Sequence, residues 1–197
     1  MALTYTPITE LEAVNAMLAT IGETPVSTIP ASGISDASEA RSELHRTNRE
    51  VQGLALKFNT DYKIRFSPDG EGKINIPTNA LKVISYYDGY SASYDYAVRG
   101  RYLWDRYNQT YVFTASVLLN ITYFLEWELM PEHVRHYVTV KAGRSFQANA
   151  VGSPQLNAFT QEDEVRARNE MFRWEMNKRG GSMLQSPSTY DIFNRRA

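Results

Sequence analysis

A chain of 197 residues with 43% hydrophobic and 22% charged side chains has the make-up of one ordinary folded domain, or a domain with a sizeable insertion, rather than of a disordered chain. Cysteine is absent, which excludes disulfides, thiolate metal sites and a cysteine nucleophile and fits a reducing compartment. A net charge of −1 argues against gripping nucleic acid by neutralising phosphates, and the chain shows neither a secretion signal before its first helix nor the roughly 18 to 20 consecutive apolar residues of a membrane span.

The first element is marked at both ends. Thr9 with Glu12 three residues later is a capping-box pair, so a helix is predicted to start there. Leu11, Val14, Leu18 and Ile21 then recur at three- and four-residue steps as one apolar stripe. Gly22 stands where a left-handed backbone is cheapest and Pro25 prevents continuation. After the Pro/Gly/Ser-rich stretch 27–35, a second helix is predicted from Asp36, with Glu39 as its capping-box partner. Its seam is Ala40, Leu44, Thr47, Val51, Leu54 and Phe58. Gly53 costs about 1 kcal/mol relative to alanine in a helix, so it marks a candidate close helix approach.

Past Phe58 the period changes from 3.6 to 2. Residues 63–66 and 73–76 alternate polar and apolar around Ser67-Pro68-Asp69-Gly70-Glu71-Gly72, which predicts a hairpin with a six-residue loop. Its Gly-Glu-Gly lacks the following lysine and helix of a phosphate cradle. Residues 81–87, 96–98, 102–104 and 111–113 read as further strands, with a tight turn at Arg99-Gly100. The strongest strand is 117–127. Leu119, Ile121, Tyr123, Leu125 and Trp127 share one face and Phe124 adds to the other, so a central position or cover from another subunit is expected. Nine of the 13 tyrosines lie between Tyr86 and Tyr123. Packing on the sheet is the plain reading and interface use the alternative.

Pro131 opens a third helix whose face is Val134, Tyr137, Val138, Lys141, Ala142, Ser145, Phe146 and Asn149. The fourth runs from about Gln155 to Lys178, with Glu162–Arg166 and Glu164–Arg168 at favourable i,i+4 spacing. Its thin apolar stripe is Phe159, Val165, Phe172 and Met176. Gly180-Gly181 then opens a segment too aperiodic for a core element. Leu184, Tyr190, Ile192 and Phe193 are spaced along it and Arg195-Arg196 follow, so it is expected to lie on a partner, with Leu184, Tyr190, Phe193, Arg195 and Arg196 as candidate partner-binding residues. Residues 1–43 hold six acids against Arg41 alone, whereas the last 20 hold four bases against Asp191. That polarity can order contacts between copies, although solvated surface charge is its plainer meaning.

The fold class these elements predict is α+β. Residues 1–58 and 130–180 make a helical bundle of about four helices, 59–129 a β-rich insertion between helices 2 and 3, and 181–197 an extended arm.

Two arrangements invite a chemical reading. His133 and His136 stand three apart beside Glu132, but no third or fourth ligand accompanies them and His45 is remote, so no metal site is assigned. Asp105, Glu126 and Glu128, with Trp104 and Trp127 to stack on sugars, would be the parts of a polysaccharide hydrolase. Solvated acids on a sheet rim are the plainer account. No catalytic residue, cofactor or metal is assigned. A third alternative is a monomeric peptide- or protein-binding module, which would employ the tyrosines.

The segment EAVNAMLATIGETPVST at 12–28 resembles the N-terminal signature of the tail tubular protein A family of short-tailed bacteriophages. Met130–Gln147 (MPEHVRHYVTVKAGRSFQ) and the charged helix around Glu162–Met171 are similar to it as well, while the tyrosine-rich centre agrees only in pattern. The resemblance implies a structural virion protein, an adaptor or gatekeeper ring of twelve copies. Its partners would be the portal protein and the tail nozzle (tail tubular protein B), with double-stranded DNA passing through non-specifically. It further implies assembly in the host cytoplasm into the virion tail.

Overall fold

The structure, a computed structural model, describes residues 6–30, 35–86, 95–150 and 154–177, and within the last helix the side chains of 161–176. The expected α+β architecture is present: four helices, with the β elements between the second and third. The helices are α1 (Glu10–Ala19), α2 (Asp36–Gln52), α3 (Glu132–Ala150) and α4 (Pro154–Asn177). The strands are β1 (Thr60–Phe66), β2 (Ala80–Ser85), β3 (Tyr96–Arg99), β4 (Tyr102–Asp105) and β5 (Val117–Tyr123).

The reciprocal Thr9/Glu12 cap starts α1, and Gly22 takes φ +82° just past its end. The buried face of α1 is Ala13, Val14, Met17 and Leu18, whereas Leu11 and Ile21 are half-buried at its margin. For α2 the cap lies one residue before the expected one. Ser35 takes the N-cap position and Ser38 reciprocates. The Ser38 hydroxyl accepts the Ser35 N–H at 3.2 Å, so the box closes one residue earlier, and the expected Glu39 is left exposed.

Gly53 is the C-cap of α2, not a crossing point: a Cβ there would meet only α2's own carbonyls, at 3.3 and 3.4 Å. The close approach is at Gly143 of α3, where a Cβ would sit 3.8 Å from both Met17 Cγ and Thr20 Cγ2. α3 packs against all three other helices and carries Val134, Tyr137, Val138, Ala142 and Phe146 into the bundle core.

Glu10, in the first turn of α1, clasps α2 through Arg41 Nε at 2.8 Å and His45 Nε2 at 2.7 Å. Burial acts to raise its carboxyl, but the hydrogen bonds and charges of Arg41 and His45 outweigh it and hold the group below its ordinary 4.5. A depressed folded-state pKa means that this stabilisation is complete above the unfolded value and is lost as pH falls through the lower, folded one. Glu10→Gln is therefore expected to cost roughly 1 kcal/mol near neutral pH, and the gap from wild type should close in urea melts as the pH is lowered through and below the ordinary carboxylate range. A gap independent of pH would contradict this account of the clasp.

The β elements form two sheets around a second core of Ile74, Ile76, Leu103, Phe113, Leu119 and Ile121. One sheet has the order β1-β5-β2 and the other is the β3–β4 hairpin. β5 is central, as its two-sided apolar character implies, although it ends at Tyr123 and Trp127 falls in a short 3-10 turn at Trp127–Leu129. The β3–β4 hairpin turns at Gly100, whose φ is +65°. β1 does not pair with residues 73–76. Its partner is β5, antiparallel, with one extra residue bulged between Asp61 and Ile64. Lys63 occupies that bulge at φ +59°, and its N–H donates to Asn120 Oδ1 at 3.0 Å. Residues 73–76 instead lie along β4, with Leu103 N donating to Ile74 O and Ile76 N to Arg101 O at 3.0 and 2.8 Å. Residues 111–113 form no strand either; Phe113 N donates to Gly72 O at 2.8 Å.

The stripe of α4 also differs from expectation. Val165 and Met176 are exposed, and the residues that dock are Ala167, Met171 and Glu175, with Phe172 at the margin. Glu175 is buried because its carboxylate accepts the Lys57 backbone N–H at 2.7 Å. Glu164 pairs across to Arg144 of α3 rather than along the helix to Arg168, which instead lies over Phe172. Arg166 reaches Asp163, not Glu162.

Candidate interaction surfaces

The residues with catalytic potential are scattered and occupied. Asp105 is buried, and its carboxylate accepts N–H groups of Tyr107 and Asn108 and the Asn108 side-chain amide at 2.8–2.9 Å. Burial raises this carboxyl, yet those donors prevail and hold it below the ordinary carboxylate value. It fastens the turn after β4 in ionised form, the opposite of a general acid. Glu126 and Glu128 are exposed beyond the end of β5. The aromatic partners are not open platforms: Trp127 is buried, with its indole N–H on Ile8 O at 2.9 Å. Trp104 lies between the guanidinium of Arg99, 4.3 Å from its ring centre, and the ring of Tyr111, 4.5 Å away. Glu126→Gln and Glu128→Gln are accordingly expected to leave any polysaccharide-degrading activity of purified protein unchanged. A substrate-saturable loss would reinstate a hydrolase.

The histidines part company. His133 stacks on Trp174 with centroids 5.3 Å apart and faces Glu175 at 3.7 Å, whereas His136 is exposed. Among the described residues no group of three or more His, Asp or Glu could hold a metal.

Most of the described tyrosines are at least half-buried. Tyr96 meets Phe113 edge-on, Tyr102 lies under the Lys73 ammonium and Tyr86 under that of Lys63. Tyr107, 89% exposed, stands out from the surface. Tyr87, Tyr90 and Tyr94 lie outside the described residues, as do the arm residues Leu184, Tyr190, Phe193, Arg195 and Arg196.

Two polar constellations escaped the sequence reading. Gln52, fully buried at the end of α2, grips the backbone of Leu125: its Oε1 accepts Leu125 N–H at 2.8 Å and its Nε2 donates to Leu125 O at 2.9 Å. Asn59 donates to Gln52 O at 2.9 Å and to Tyr123 O at 2.8 Å. These amides join the helical core to the central strand. Arg135 of α3 is also buried, and among the described residues no ion pair involves it. Its guanidinium donates to the carbonyls of Met130, Ile8 and Glu128 at 2.6–3.0 Å, and Glu132 accepts Ile8 N–H at 2.7 Å. The chain before α1 and the turn before α3 are thereby pinned to one helix. The available signal was spacing: Asn48 and Gln52 lie four apart on the apolar side of α2.

These arrangements are bonds between side chains and the backbone of distant segments. What they hold together is a helical unit and a β unit in fixed relation, each with its own outward surface.

A model of the tail tubular protein family matches residues 11–181. Tail tubular protein A of Klebsiella phage KP34 is 34% identical over 156 residues, which cover 79% of this chain and 81% of that protein. The chain belongs to the tail tubular protein family. It is thus a structural component of a phage tail. The match to the tail tubular model takes in both units, from the first turn of α1 through α4. The segments that carry the sequence resemblance fall on α1 and its turn, on α3, and on the part of α4 that faces the bundle. Among the described residues no helix is long and apolar enough to cross a membrane.

Proposed function

We propose that this tail tubular protein is the subunit of a dodecameric ring that joins the portal protein to the tail nozzle (tail tubular protein B). The ring surrounds double-stranded DNA, is assembled in the host cytoplasm and stays in the virion tail. The observation that carries the reading, beside the family, is the Gln52–Leu125 joint. An adaptor must present two partner surfaces in fixed geometry, and a buried, mutually bonded joint between two cores supplies that stiffness. The charge supports the passage of DNA: a net −1 means that acids balance the bases and no positive excess grips the phosphates, so DNA slides past without being held.

The segment after Gly181 is the docking arm in this reading, with Leu184, Tyr190 and Phe193 as anchors and Arg195 and Arg196 for charge-assisted contacts. Solution mass and negative-stain images, of the protein alone and with portal, test the ring. Closed rings seated on portal are expected. A chain that stays monomeric and never sediments with portal would refute it. Removing residues 182–197 should leave thermal unfolding of the monomer nearly unchanged while weakening ring formation or portal docking.

A further inference from the structure

Four large apolar side chains remain uncovered where α2 and α4 finish and α3 begins: Leu54, Leu129, Trp174 and Met176, at 53, 65, 57 and 54% exposure. Contacts between these elements place them at one end of the bundle. The Trp174 indole stacks on His133 in the first turn of α3, with planes 8° from parallel. Lys57, three residues past Leu54, donates its N–H to Glu175 at 2.7 Å. Leu129 lies in the 3-10 turn four residues before His133, and that turn is held because Glu128 O accepts from Arg135 at 2.6 Å.

Two acids stand within three residues of Leu129 in the chain. Glu126 and Glu128 are exposed and enter no ion pair among the described residues. An apolar centre with a carboxylate rim calls for an occupant with aromatic and aliphatic anchors followed by guanidinium groups. The chain itself contains such a segment in Leu184, Tyr190, Ile192 and Phe193 with Arg195-Arg196. It lies past residue 181, where the family match stops.

We propose that this end of the bundle is the receiving site for residues 182–197 of a neighbouring copy. The inference rests on the ring reading, because arm and patch are different surfaces of one chain. Such a pairing is head-to-tail, and a head-to-tail contact whose rotation closes makes a ring rather than a two-fold dimer. Reach is sufficient: the 20 residues after Asn177 span up to about 70 Å when extended. The apolar anchors supply most of the affinity, and the Glu–Arg pairs at the rim fix register and choice of partner.

The absence of cysteine allows a direct test in the full-length chain. Leu129→Cys protein is mixed with mass-tagged Phe193→Cys protein under ring-forming conditions and treated with a short bis-maleimide. A covalent pair of one tagged and one untagged chain is expected. Tyr107→Cys replacing Leu129→Cys serves as the background control. Glu126→Arg with Glu128→Arg on the receiving chain should reduce the yield at least tenfold, and Arg195→Glu with Arg196→Glu on the arm should restore it. Glu126 and Glu128 are exposed, and unchanged thermal melts establish that the receiving chain folds. The proposal is overturned if a chain carrying both cysteines links only to itself, if charge reversal has no effect, or if rings appear in images without the cross-link. Cross-linking without closed rings would sink the ring reading while leaving the arm–patch pairing in place.

Discussion

Replacing Leu18 by alanine is expected to cost about 2 to 5 kcal/mol, the range for emptying a buried leucine site. Leu18 is 2% exposed, in a cluster with Met17, Val134 and Val138. Its neighbours cannot easily collapse into the void, because α1 is already drawn close to α3 over Gly143. The helix itself depends on this docking. α1 has 10 residues, fewer than the roughly 12 to 15 at which an isolated helix becomes even marginal in water. The capping box and the Glu10 clasp direct where α1 begins, but its buried face is what keeps it helical. Urea unfolding of wild type and variant measures the difference. A loss under 0.5 kcal/mol would mean that α1 is not held by this face. Leu11→Ala, at a half-buried margin position, should cost distinctly less.

The parts of the fold that sequence made readable are those in which one residue type answers one local demand. The Thr9/Glu12 cap, Gly22 at positive φ and the β3–β4 turn at Gly100 are of this kind. Alternation at residues 73–76 was read correctly for burial, since Ile74 and Ile76 are both in the β core, and incorrectly for pairing. A period of two states which side chains face inward; it carries no information about the strand across the gap. β1 finds its partner in β5, more than 50 residues on, and Asp69 closes the intervening turn by accepting the Glu71 and Lys73 N–H groups, each at 2.9 Å.

The docking face of α4 was hidden for a different reason. Glu175 sits in register with Ala167 and Met171, and an acid in a stripe counts against burial until the backbone N–H that satisfies it is known. Gln52 and Arg135 were illegible on the same ground: their partners are carbonyls and N–H groups of distant loops, which no side-chain pattern records. The surfaces fared similarly. Glu126 and Glu128 stand out in the sequence as carboxylates, but the stacking of Trp174 on His133, a few residues further along the chain, depends on how α3 and α4 pack.

Loss of Gln52 should separate the two units of the fold. Gln52→Met keeps much of the volume and removes both bonds to Leu125, leaving a half-buried N–H and C=O to find new partners. Each orphaned group costs about 1 to 3 kcal/mol, so a total of roughly 3 to 5 kcal/mol is expected, since the two sit side by side and one water cannot readily replace both. Asn48 adds to the effect, because its Oδ1 accepts from the Gln52 side-chain amide at 3.0 Å and loses that donor, whereas Asn59 bonds the Gln52 main-chain carbonyl, which methionine keeps. The informative readout is cooperativity rather than stability alone. In the wild type, amides of β5 and of α3 should exchange with solvent through the same global opening, since the joint transmits order between the cores. In Gln52→Met the amides of Leu119 and Ile121 should exchange through a cheaper opening than those of Val134 and Val138. A β unit that opens on its own could not hold a partner in fixed relation to the bundle, so the same variant should form poorly ordered rings. Equal exchange in both units, with less than 0.5 kcal/mol lost overall, would show that the amide joint is not what couples them.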